Sequence, residues 1–157
     1  MTPDQRAAAA AQYFDEGYNC SQSVALAFAD VLEEKTGLDR KAVADLASAF
    51  GGGFGRQREV CGSVSGMTLA AGAVLPSDPS DQNSRTACYA FEQKLCARFR
   101  EEHGSIICRE LLGLRAGQKE TPEPSARTPE FYHARPCQAL VASAARILAE
   151  ELEQIRP

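Results

Sequence analysis

Apolar residues recur along this chain at intervals of three and four, the spacing that lines one face of a helix. Ala8, Ala11, Tyr13 and Phe14 mark a first amphipathic segment, which Gly17 stops. A second helix is predicted over residues 20–35, with Val24, Leu26, Phe28, Val31 and Leu32 apolar and Gly37 closing it. Asp39 can cap a third through Val43, Leu46, Ala47 and Phe50. No run of β-branched residues alternates with polar ones, so no strand is predicted.

The run Gly51-Gly52-Gly53-Phe54-Gly55 interrupts this periodicity, because each glycine costs a helix roughly 1 kcal/mol against alanine. The chain is expected to turn there. Helix resumes over 63–75, where Gly66 and Gly72 would let a neighbour approach closely. Residues 76–81 read as a loop ending in a cap. A long helix then runs to about residue 102 through Ala87, Phe91, Leu95 and Phe99, and Gly104 ends it. Ser105 opens a short helix over 106–112, closed by Gly113. Residues 117–129, proline-rich and polar, read as an exposed loop. Pro136 starts a last helix carrying Leu140, Val141, Ala144, Ala145, Leu148 and Leu152. The fold expected is all-α: one domain over residues 1–157, a bundle of about seven helices with a glycine-rich loop before the central cysteine, and no repeat.

Charge narrows the function. The net charge is −4 with no block of either sign, so neither nucleic acid nor an anionic membrane is a natural partner. The longest apolar run, residues 64–75, falls short of the ~20 residues that span a bilayer. Asp4 and Gln5 stand where a signal peptide would be cationic, so the N-terminus reads as a helix start. A cytoplasmic protein is expected, in which resting disulfides are rare.

Composition adds one anomaly, six cysteines in 157 residues. Cys20 follows Asn19, a good cap with Gln22 three residues on. Cys61 lies between the glycine loop and the next helix, Cys108 is three residues after Ser105, and Cys137 follows Pro136. Four cysteines thus fall at helix starts, where unpaired N–H groups favour a thiolate and lower its pKa. Cys88 and Cys96 lie inside the long helix about 12 Å apart, too far to bridge, and read as core filler. The glycines Gly51, Gly52, Gly53 and Gly62 would let a cofactor or substrate approach the backbone beside Cys61.

Other chemistry has thin support. There is no Cys-x-x-Cys, so neither a thioredoxin-type dithiol nor a zinc ribbon is indicated. His103 and His133 fit no metal motif, and His133 reads as a surface residue rather than a partner of Cys137. The glycine loop lacks the Lys-Ser/Thr of a phosphate-binding loop, and Val64 occupies the middle of Gly62-Ser63-Val64-Ser65-Gly66 where a hydrolase needs serine. Glu101, Glu102, Glu150, Glu151 and Glu153 read as solvated helix faces.

Taken together, residues 14–24, 50–55, 61–66 and 99–113 and Cys137 resemble the C_GCAxxG_C_C family of redox-active proteins. The likeness runs from about residue 10 to 150, and the family's four cysteines match Cys20, Cys61, Cys108 and Cys137. Ser63 stands where the family's central motif has alanine, a small-for-small change. The resemblance implies a redox role in bacteria, often encoded near transporter genes. Similarity to the cysteine-bearing domain of split-Soret cytochromes implies an iron–sulfur centre as one form of it. Without Cys-x-x-Cys-His no covalent haem is expected.

Three functions follow as expectations. The four cysteines either ligate a [2Fe–2S] cluster or form dithiol/disulfide pairs that pass electrons or sulfur to a redox partner protein or small thiol. Alternatively they hold zinc or another soft metal as a Cys₄ site. In the third reading Cys61 alone is the nucleophile of a thiol enzyme. Oligomeric state is left open.

Overall fold

The computed structural model describes residues 1–155. Its helices are α1 (Pro3–Asp15), α2 (Cys20–Leu26), α3 (Ala29–Thr36), α4 (Arg40–Ala47), the single turn α5 (Gly51–Phe54), α6 (Gly62–Val74), α7 (Gln82–His103), α8 (Cys108–Leu111), α9 (Pro129–Ala134) and α10 (Cys137–Ile155). Seven of these, among the described residues, are seven residues or longer, and the fold is all-α. The one extended pairing among the described residues is an isolated antiparallel bridge, Val60 with Ile107. No helix among them is long and apolar enough to cross a membrane.

Local signals start most of these helices. Thr2 and Gln5 form a capping box on α1, with Pro3 in its first turn, and Asn19 and Gln22 form another on α2. Asp39 caps α4 and Asp81 caps α7, while Gly104 ends α7 in the left-handed region at φ +85°. The most extensive contact is α1 against α10, and α2 lies between α1, α4, α6 and α10 at the centre of the bundle. Its approach to α6 depends on Gly66, where a Cβ would stand 2.4 Å from the Ser21 carbonyl oxygen. Gly72, expected to act likewise, faces open space.

The single helix expected over 20–35 is broken between α2 and α3. Phe28 N–H bonds back only three residues, to Ala25 O at 3.0 Å, which tightens the chain and buries the Phe28 ring. The buried Arg6 of α1 stabilises the bend: its Nη1 donates to Ala27 O at 2.6 Å, its guanidinium lies 4.8 Å over the Phe28 ring, and it pairs with Asp30. α4 ends before Phe50, whose ring packs on Phe54 at 5.3 Å, and Leu46 is left exposed.

Further along, α7 buries Phe91, Leu95 and Phe99, whereas Ala87 is exposed on its first turns. The glutamates read as solvated prove structural in part. Glu151, 2% exposed, pairs with Lys94 and Arg98, and Glu150 and Glu102 share Arg146, so charge pairing joins α7 to α10. α8 begins at Cys108, later than expected, because Ile106 and Ile107 are held extended against residues 59–61. α9 was not anticipated; Thr128 caps it and Pro129 opens it. Pro136 sits one position outside α10, its carbonyl accepting from Leu140 N–H at 3.0 Å.

Candidate functional site

The glycine run folds into a turn that few sequences could adopt. Gly52, Gly53 and Gly55 have φ of +67°, +70° and +63°, and the same left-handed region is imposed on Phe54, Arg56 and Arg58. Each non-glycine there stores about 1–3 kcal/mol of strain. The turn is closed by Arg58 N–H to Gly52 O at 3.3 Å and Glu59 N–H to Gly53 O at 3.1 Å. No side chain fits at Gly53, where a Cβ would lie 2.7 Å from Glu59 N and 2.8 Å from Cys108 Cβ.

That turn delivers the chain to Cys61, the cap residue of α6, and a short ladder ties it to α8. Cys61 N–H donates to Ile106 O at 2.8 Å, Cys108 N–H to Glu59 O at 2.7 Å, and Arg109 N–H to Arg58 O at 3.1 Å. Cys20 and Cys137 arrive as the first residues of α2 and α10. Gly62 seats Cys20: a Cβ there would stand 2.3 Å from its Sγ. All four cysteines wall one cavity of about 440 Å³, and Gly51 and Gly52 line it beside them. Gly53 and Gly62 lie behind the wall and permit its packing. All six cysteines are free thiols.

The thiols are close enough to influence one another. Burial pushes the Cys20 thiol up, with Cys108 adding to it. Burial pushes Cys61 to about 12 and Cys137 to about 11, Cys20 being the next cause for both. The lowered pKa expected of helix starts is thus overturned at these three positions. α2 has seven residues, and the half charge at a helix end is outweighed by removing a thiolate from water. Cys108 adds to the rise at all three. Among the described residues no three His, Cys, Asp or Glu side chains are gathered so that they could hold one metal ion.

Arginines complete the wall, and sequence reasoning missed them as a set. Arg56, Arg58, Arg127 and Arg135 all line the cavity. Arg58 is buried; its Nη1 donates to Cys108 Sγ at 3.8 Å and its Nη2 to Glu120 at 3.3 Å. Arg56 holds the loop expected to be exposed, donating to Thr121 O at 2.9 Å, Glu120 at 2.9 Å and Ser125 Oγ at 3.3 Å. That loop, exposed except at Glu120 and Ser125, supplies Pro122, Pro124 and Ser125 to the cavity wall. The Arg56-Gln57-Arg58 triplet just before Cys61 was the available signal; Arg127 and Arg135 carry none, since only folding brings them there.

The remaining candidates lie elsewhere. His133 is exposed and does not line the cavity. His103 bonds Ser143 Oγ at 2.8 Å between α7 and α10. Cys88 and Cys96 are partly exposed; Cys96 packs against the hydrophobic core as expected, and neither lines the cavity.

A family model described as "Putative redox-active protein (C_GCAxxG_C_C)" matches residues 18–151. The chain belongs to that family. The match contains all four cavity cysteines, the glycine turn and the proline-rich loop. No curated protein and no solved structure matches the chain.

Proposed function

We propose that the chain is a thiol redox protein in which Cys20, Cys61, Cys108 and Cys137 form one centre, cycling between dithiol and disulfide against a small molecule admitted to the cavity. One observation carries this reading: cysteines from four separate helix starts wall a single cavity. At about 440 Å³ it lies within the ~300–1,000 Å³ of small-molecule sites. Cys108, to which Arg58 Nη1 donates at 3.8 Å, is the attacking thiol of the working pair, and Cys20, in the wall of the same cavity, is its partner. Closing them into a disulfide releases two electrons and two protons to the acceptor, and a small thiol or a redox partner protein restores them.

The donor set also fits a [2Fe–2S] cluster, which takes four thiolates, two on each iron. Cys20, Cys61, Cys108 and Cys137 would hold it, the cavity arginines would offset its negative charge, and the bound cluster would supply one-electron transfer. A mononuclear zinc site has no such support, since among the described residues no three ligands are gathered. Nor does a Cys61 thiol enzyme: Cys61 is buried with its thiol near 12, and no histidine lines the cavity.

Anaerobic purification, metal and sulfide analysis and thiol mapping test the proposal. The expected result is a metal-free protein that a disulfide oxidant converts to a form with Cys20 joined to Cys108. Stoichiometric iron and sulfide would replace it with the cluster reading. Four thiols inert to oxidants, with no metal, would overturn both.

A further inference from the structure

The cavity is positive inside an acidic protein. Among the described residues four arginines line it, while the chain as a whole carries −4. Glu120 is the carboxylate of their ion pairs and is shared by Arg56 and Arg58. Among the described residues Arg127 and Arg135 have no carboxylate partner: Arg127 donates to Phe14 O and Tyr18 O, and Arg135 to Ser125 Oγ. Each nitrogen of Arg56 donates to the loop, whereas Arg58 Nε does not. The Arg58 side chain is 5% exposed, and its Nε is buried with no hydrogen-bond partner. Glu120, shared between Arg56 and Arg58, offsets only part of their charge, so the wall keeps a positive excess for an anion. The Arg58 guanidinium donates to Cys108 Sγ, so a charge held at Arg58 lies beside the working thiol.

We propose that the cavity selects sulfur electrophiles bearing negative charge, the fitting class being a small carboxylate-bearing disulfide, with the cavity-lining guanidinium groups of Arg58, Arg127 and Arg135 receiving the carboxylate. This rests on the thiol–disulfide reading above. The Cys108 thiolate, beside the Arg58 guanidinium, attacks one sulfur of the substrate; its S–S bond breaks, and the first thiolate leaves with the electron pair. Cys20 then attacks Cys108 Sγ in the mixed disulfide and expels the second thiolate. The protein loses two electrons to form the Cys20–Cys108 disulfide. The two protons from its thiols go to the two departing thiolates.

The test compares two disulfides on protein in which Cys88 and Cys96 are serine. Dithiobis(nitrobenzoate) carries two carboxylates, and dithiodipyridine is neutral. In Arg58→Gln the anionic-to-neutral rate ratio should fall about tenfold, with Arg58→Lys intermediate. Arg135→Gln, away from the strained turn, should lower the ratio in the same direction and serves if Arg58→Gln does not fold. High salt should slow the anionic reagent alone. A ratio unchanged in the folded variants overturns charge selection, while a Cys20–Cys108 disulfide formed by the neutral reagent leaves the thiol reading standing. Cavity thiols untouched by the neutral reagent in the parent protein overturn the thiol reading and this proposal with it.

Discussion

At Gly62 a single hydrogen decides whether the Cys20 sulfur has a place. A Cβ there would meet Sγ at 2.3 Å, with Phe50 O and Ser21 N both at 3.2 Å behind it. Gly62→Ala should therefore cost about 1–3 kcal/mol, as overpacking of a well-filled site does. The urea midpoint measures this, and adding Cys20→Ala should return part of the loss by removing the sulfur. A loss equal with and without the sulfur would show that the backbone contacts alone set the cost. Cys96 gives a second residue-scale test. Burial, then the Glu92 carboxylate that accepts from its thiol at 3.2 Å, push it to about 12. Because the raised value favours the neutral thiol, its stabilisation is full below pH ~9 and is lost as pH rises towards 12. Native Cys96 should thus alkylate slowly at neutral pH and faster in Glu92→Gln; equal rates would remove Glu92 as a cause. Residue placement was partly legible in sequence. The four helix-start cysteines stand out through neighbours such as Asn19 and Pro136, whereas the four arginines share no local signature.

Among the elements, those begun by local chemistry were legible and those shaped by distant partners were not. Asn19, Asp39, Asp81 and Gly104 announce helix ends because their bonds run to residues within one turn. The bend between α2 and α3 depends on Arg6, 21 residues from the carbonyl it satisfies. The proline-rich loop depends on Arg56, 65 residues from Thr121. Magnitudes separate the two roles of Arg6. Asp30 is 59% exposed, so the ion pair is worth under about 1 kcal/mol, whereas the Ala27 carbonyl is left without its partner once the guanidinium is gone. Arg6→Met should cost about 2–3 kcal/mol and Asp30→Asn well under 1. Thermal or urea unfolding of the two variants checks the order, and equal losses would place the stabilisation in the ion pair instead. Arg6 also holds the Asp30 carboxyl below its usual 3.8. The pair's contribution is therefore intact above that pH and lost only as pH falls through the depressed value.

For the molecule as a whole, the cavity, the loop in its wall and its charge converge on Glu120. This carboxylate bonds Arg56 of the glycine turn and Arg58 of the cavity wall, so it fastens the loop and offsets part of the interior charge. Hydrogen bonding from Arg58 holds it below its usual 4.5, so it stays ionised through the neutral range. Glu120→Gln should do two separable things. Loss of the fastening admits reagents generally, so the neutral disulfide should react faster with the cavity thiols. Loss of the negative charge leaves Arg56 and Arg58 less compensated, so the anionic disulfide should gain more than the neutral one. The variant thus moves the anionic-to-neutral ratio upwards, opposite to Arg58→Gln. Acidification of the parent protein should follow the same direction only as pH falls through the depressed Glu120 value, because protonation then removes the same charge. Stopped-flow rates for both reagents measure the effect. A uniform gain would show that Glu120 acts as a fastener alone, and no gain would show that the loop does not govern entry.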